Sequence, residues 1–195
     1  MGDELDAARG ELRTLLLTRA FQFGDFLLTS GRRSTYYVDG KQVTLDGRGL
    51  QLVARLTLQR CRELDIDAVG GLTLGADPIA AATAALSGAD PRPLTAFIVR
   101  KEVKAHGTGS AIEGPPLRPG MRVMLVDDTL TTGGTFLAAN TQVIATGATV
   151  VEALCVVDRE EGGGEALRSA GIPLHALFTR SDFPAPHAAL PSTSG

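Results

Sequence analysis

Met121-Arg-Val-Met-Leu-Val-Asp-Asp-Thr-Leu-Thr-Thr-Gly-Gly-Thr135 runs from an apolar strand through two adjacent acids into a turn of threonine and glycine. Val123, Met124, Leu125 and Val126 form a short unbroken apolar run, the pattern of a strand buried on both faces of a parallel sheet. In open α/β sheets ligands bind beyond the carboxyl ends of the strands, so chemistry is expected where this strand stops. Thr131, Thr132, Gly133, Gly134 and Thr135 are small enough for backbone N–H groups to turn towards an anion. A helix beginning near Gly134 would add its positive end.

The lysine of the nucleotide phosphate loop, G-x-x-x-x-G-K-[ST], is missing from this turn. Asp127 and Asp128 occupy the approach instead. Carboxylates repel phosphate, so these two are expected to accept hydrogen bonds from sugar hydroxyls, directly or through Mg²⁺ and its waters. The ligand that fits is a sugar phosphate. An Asp-Asp turn before a capped helix uses the same small residues. Strand, acid pair, double threonine and double glycine in that order favour a site, and the segment resembles the diphosphoribose-binding motif of type I phosphoribosyltransferases.

A second segment, Val99-Arg-Lys-Glu-Val-Lys-Ala-His-Gly-Thr-Gly109, gathers Arg100, Lys101, Lys104 and His106 behind the apolar run Leu94 to Val99. Four potential cations on a glycine-containing, mobile loop suit a diphosphate leaving group, whose developing charge they would neutralise while excluding water. Read alone, the run could equally be a solvated charged hairpin. Its pattern R-K-x-x-K-x-H-G is similar to the catalytic loop of the orotate phosphoribosyltransferase family. There the loop reaches across a dimer into the partner's site, so the resemblance implies a homodimer.

The stretch Phe26-Leu-Leu-Thr-Ser-Gly-Arg-Arg-Ser-Thr-Tyr-Tyr-Val-Asp39 reads as strand, turn and strand. It resembles the amino-terminal signature of the same family, which implies a hood over the base with Tyr36 and Tyr37 packing on the orotate ring. Val69-Gly-Gly-Leu-Thr-Leu-Gly-Ala-Asp-Pro-Ile-Ala80 is a strand end, a glycine-rich loop and an alanine-rich helix with Pro78 in its first turn. The family implies that this loop, at Leu74 and Gly75, receives the diphosphate. In Val156-Val-Asp-Arg-Glu160 the arginine could hold a planar carboxylate through two parallel hydrogen bonds. The resemblance gives Arg159 the orotate carboxylate, and assigns the loop Thr129, Leu130, Thr131 and onward to the ribose phosphate, with Thr131 also meeting the base. Many relatives carry lysine where this chain has Thr29 and a Tyr-Lys pair where it has Leu74-Gly75, so here the diphosphate is expected to rely on the mobile loop, backbone N–H groups and Mg²⁺.

At 195 residues the chain fits one domain, expected to be an α/β phosphoribosyltransferase fold: a central, mostly parallel sheet flanked by helices, with a hood and a flexible catalytic loop. Residues 1–45 with part of the carboxyl-terminal segment would form the hood, and 184–195, rich in Pro, Ala and Ser, a loosely ordered tail. The expected order is helix 3–20, hairpin 23–43, helix 47–64, strand 67–72, helix 77–87, strand 94–100, loop 100–115, strand 121–127, helix 133–146, strand 148–157, helix 162–170 and strand 173–178.

A net charge of −3, with a single basic cluster, argues against a nucleic-acid partner. Cys61 and Cys155 lack metal-ligand spacing and read as core residues of a reduced, cytoplasmic protein. Met1 to Ala20 does not read as a signal peptide, and no apolar run is long enough to span a bilayer. The expected partners are 5-phosphoribosyl 1-diphosphate, orotate, Mg²⁺ held through substrate and water with no direct side-chain ligand, and a second copy of the chain. Asp127 and Asp128 would favour a positively charged sugar in the transition state while Lys104, His106 and Arg100 favour the departing anion. Two rivals share the acid-pair motif: a phosphoribosyltransferase for another base, and a regulator that senses phosphoribosyl diphosphate.

Overall fold

A computed structural model describes residues 2–27, 33–101 and 111–184. Helix α1 (Gly2–Leu15) continues through a wider turn at Leu16–Ala20 into the antiparallel pair β1 (Phe21–Leu27) and β2 (Arg33–Val38). The short α2 (Lys41–Thr44) and long α3 (Gly47–Glu63) follow. Asp46 caps α3, its carboxylate accepting from the N–H groups of Arg48 and Gly49. Then come β3 (Ala68–Leu72), α4 (Ala76–Leu86), β4 (Thr95–Val99), the two-residue β5 (Ile112–Glu113), β6 (Arg122–Leu130), α5 (Gly134–Ile144), β7 (Thr149–Asp158), α6 (Gly163–Ser169) and β8 (Leu174–Thr179).

These strands form a six-stranded sheet in the order β5-β4-β3-β6-β7-β8, parallel except for β5. The expected central, mostly parallel sheet flanked by helices is what the chain builds. Helices pack on both faces of the sheet where β6 runs, which is why its apolar run does not alternate. Met124 and Val126 face one core with Leu12, Leu52 and Ile79 from α1, α3 and α4. Val123 and Leu125 face the other with Phe136 and Val143 from α5 and Leu167 from α6. Each such side chain contributes about 1.5–3 kcal/mol by leaving water.

Two expectations need correction. The hairpin ends at Val38, and 41–44 is helical, because the N–H groups of Val43 and Thr44 bond back to the Gly40 carbonyl. Strand β6 does not stop at the acids: it runs on through Asp127, Asp128 and Thr129 to Leu130, since Thr129 and Leu130 stay in register with Val157 and Asp158 of β7. The acid pair therefore sits inside a hydrogen-bonded strand rather than on the turn after it.

Candidate functional site

A polar cavity of about 410 Å³ opens at the carboxyl ends of β3, β4 and β6. On its floor lie Asp127 and Asp128, only 6% and 3% exposed. The Asp127 carboxylate accepts the N–H of Asp128 at 2.9 Å, and the Asp128 carboxylate accepts that of Thr129 at 2.9 Å. Burial first, and then the charge on Asp128, push the Asp127 carboxyl up to about 7, while the Thr135 hydroxyl bonded to it pulls the other way.

Thr129, Thr131, Thr132, Gly133, Gly134 and Thr135 form one wall. Gly133 caps α5 with a φ of 85°, a left-handed conformation that lets the chain turn sharply so that the helix opens on the cavity. Leu130, by contrast, is 1% exposed and buried in the core. Its role is played by the backbone: the Leu130 carbonyl accepts the N–H of Arg159 at 2.9 Å and so sets where that residue leaves β7.

Thr73, Leu74 and Gly75 also line the cavity, with Leu74 exposed. A Cβ on Gly75 would lie 2.0 Å from Asp127 Oδ1 and 2.7 Å from Asp128 Oδ1. The missing lysine at this position thus has a local reason: here the acid pair takes the space that any side chain at 75 would need.

The base side lies one strand further along. Arg159, with a side chain 10% exposed, has Nη2 2.7 Å from Glu161 Oε1. That ion pair is short but misaligned, so Arg159 Nε and Nη2 are buried without a hydrogen-bond partner among the described residues. Two guanidinium groups approach the Tyr36 ring, Arg159 at 5.5 Å and Arg180 at 4.6 Å from its centroid. Tyr37, next on β2, points to the other face of the hairpin and pairs with Phe26 at 6.0 Å. The structure brings Tyr36, not Tyr37, beside Arg159. Phe183, after β8, packs on Phe21 with ring centroids 4.2 Å apart, tying the hairpin to the carboxyl-terminal segment.

Of the predicted loop, Lys101 lines the cavity, whereas Arg100 turns away to Glu113 at 3.2 Å. Lys104 and His106 lie outside the described residues, as do Thr29 and the tail from residue 185. Lys41 and Glu161 went unnoticed in the sequence. Lys41 Nζ lies 3.1 Å from Asp128 Oδ2 and 3.6 Å from Asp39 Oδ1, and lines the cavity. Its one signal is scarcity, since the chain has three lysines against sixteen arginines.

Two buried carboxylates beside a polar cavity suit Mg²⁺, which keeps most of its waters and binds through one or two acids and substrate phosphates. Among the described residues no group of three or more acidic, histidine or cysteine side chains could hold a metal alone. The donor set thus fits an ion that arrives with its substrate.

Residues 40–170 match the model of the phosphoribosyl transferase domain. The orotate phosphoribosyltransferase of Thermosynechococcus vestitus is 46% identical over 185 residues, 95% of this chain and 97% of that one. The Mycobacterium tuberculosis orotate phosphoribosyltransferase, solved in complex with Fe(III) dicitrate, superposes with a TM-score of 0.78 at 40% identity, covering 90% of this chain and 98% of that one. The same enzyme in complex with 5-phospho-α-D-ribosyl 1-diphosphate gives 0.74 at 38% identity, with the same coverage.

Proposed function

The chain belongs to the phosphoribosyl transferase family and, within it, to the orotate phosphoribosyltransferases, and from that premise we propose how its residues transfer 5-phosphoribose from 5-phosphoribosyl 1-diphosphate to orotate. The products are orotidine 5′-phosphate and diphosphate, a step of pyrimidine biosynthesis.

The observation that carries the choice of base is Arg159: a nearly buried guanidinium whose Nε and Nη2 make no hydrogen bond among the described residues, Nη2 meeting Glu161 only as a misaligned ion pair, beside an aromatic ring. A planar carboxylate on a flat ring meets both needs, through paired N–H···O bonds and stacking on Tyr36. A base without a carboxylate would leave these N–H groups without acceptors. Tyr37 belongs to the same hood, built from β1, β2 and the Phe183 segment over a single transferase domain.

The 5-phosphate rests in the Thr131 to Thr135 cradle at the start of α5, and the ribose hydroxyls donate to Asp127 and Asp128. Thr129 flanks the ribose, and the diphosphate lies along Leu74 and Gly75, whose backbone can approach closely. A ring nitrogen of orotate, its N–H proton released to water, forms the bond to the anomeric carbon as the carbon–oxygen bond to diphosphate breaks, the electron pair leaving with diphosphate. The sugar passes through an oxocarbenium-like state whose positive charge the acid pair favours. Asp127 and Asp128 would hold Mg²⁺, which would supply charge neutralisation for the diphosphate. Lys101, with Lys104 and His106 of the loop arriving from the second copy of a homodimer in the cytoplasm, neutralises the leaving anion, and Arg100 joins them by giving up its pair with Glu113.

Loss of orotate absorbance that needs protein, 5-phosphoribosyl 1-diphosphate and Mg²⁺ together is the expected result with purified protein. Arg159→Met should raise the KM for orotate roughly tenfold to hundredfold, the worth of charge-assisted hydrogen bonds, and leave the donor's KM nearly alone. No orotate loss from a sample that binds the donor in calorimetry would move the reading to another base or to a sensor.

A further inference from the structure

Lysine is scarce in this chain, and the positions of the three are not scattered: Lys41 and Lys101 line one cavity, and Lys104 follows three residues after Lys101. Every other ion pair among the described residues uses arginine, whether exposed as in Arg92–Asp67 or half-buried as in Arg60–Glu152. Among the described residues only Asp128 and Asp39 are met by a lysine. A cation needed solely to balance a buried carboxylate would be better supplied by arginine, whose planar fork locks onto both oxygens. An ammonium is a compact point charge on a flexible stem and can be shared between partners. Lys41 fits sharing: its side chain is 44% exposed, it touches only one oxygen of Asp128, and it lines the same cavity as Thr131 to Thr135. The charges of Asp128, Asp39 and Asp127 and the hydrogen bond to Asp128 outweigh burial and raise its pKa, so it stays charged. The glycine at 75 leaves the diphosphate wall without a cation of its own.

We propose that Lys41 is a substrate-binding residue that shares its ammonium between Asp128 and the diphosphate of the donor, standing in for the lysine that position 75 has no room for. This rests on the reading of the cavity as the donor site. Removing it should weaken diphosphate binding in isolation from the base.

Calorimetry with inorganic diphosphate and Mg²⁺, alongside steady-state kinetics, tests this on Lys41→Met and Lys41→Arg. For Lys41→Met the affinity for inorganic diphosphate should fall about tenfold or more, the loss expected for one charge-assisted contact, and the donor's KM should rise by more than kcat falls, with little change in the KM for orotate. Lys41→Arg should recover less than half of the lost affinity, because a guanidinium settles on Asp128. Diphosphate affinity and donor KM within twofold of the parent in Lys41→Met would overturn the proposal. The double variant Lys41→Met/Asp128→Asn removes the stranded carboxylate: affinity below that of Asp128→Asn alone supports a direct contact, and affinity equal to that of Asp128→Asn overturns it. A parent protein that binds diphosphate through Lys41 but leaves orotate untouched would count against the choice of base and not against Lys41.

Discussion

Towards the amino ends of the central strands, Glu152 accepts two hydrogen bonds from Arg60 at 2.8 and 2.7 Å, and Asp90 two from Arg62 at 2.9 and 2.7 Å. Asp67 is held by Arg92 and by the N–H of Arg122. At the carboxyl ends, Asp128 shares one lysine and Asp127 has no ion pair among the described residues, although both are as deeply buried as Glu152. A cavity of about 310 Å³ also opens at the amino end, between Arg62 and Arg92, but its cations already have carboxylate partners. Fixed pairing by arginine spends hydrogen-bonding capacity on the fold. Leaving an acid pair underneutralised, against glycine, keeps that capacity for a ligand and raises the electrostatic strain of the free protein.

Breaking the carboxyl end should cost function and little stability. Gly75→Lys would drive a side chain into the acid pair and should lower turnover at least about a thousandfold, since displaced substrate atoms lose their reacting geometry. A Gly75→Lys protein with near-parent turnover would refute the packing argument. Breaking the amino end should do the reverse. Arg60→Met strands a buried carboxylate and should cost about 3–5 kcal/mol of stability, seen as a drop in Tm of roughly 10 °C, with turnover well below the transition unchanged.

Asp127→Asn sharpens the contrast through pH. The folded carboxyl titrates near 7 and the unfolded one near 3.8, so the native state holds the extra proton between those values. Its contribution is complete below pH 4 and fades as pH rises through 7. The asparagine variant should therefore be more stable than the parent at pH 8, by on the order of 2 kcal/mol, and show a flatter stability profile from pH 4 to 7 in denaturant titrations. A variant less stable than the parent at pH 8 would contradict this. The smallest effect belongs to Arg92→Ala, an exposed pair partner at the amino end, which should change stability by less than about 1 kcal/mol.

What the chain announces and what it hides divide along physical lines. Val123 to Val126 reveal β6 because a doubly buried strand must be apolar, and Gly133–Gly134 reveal the turn into α5 because that turn needs small residues and a positive φ. The continuation of β6 through Asp127 to Leu130 is set by the ladder with Val157 and Asp158, a tertiary pairing that acids and threonine do not signal. Lys41 lies 87 positions from Asp128, and nothing local joins them until the sheet is built. Tyr36 and Tyr37 look alike in the chain, and only the pleat of β2 sends one to Arg159 and the other away. The space denied to a side chain at Gly75 is likewise a property of two segments brought together.

The clustering of lysine has a practical consequence for anyone handling the protein. An amine-directed reagent finds three lysine targets, two of them facing the polar cavity, so conjugation chemistry that is harmless on most enzymes would here act as a site-directed inhibitor, and protection by the donor would report occupancy without any assay of turnover. Surface immobilisation and fluorophore attachment are better directed to other side chains.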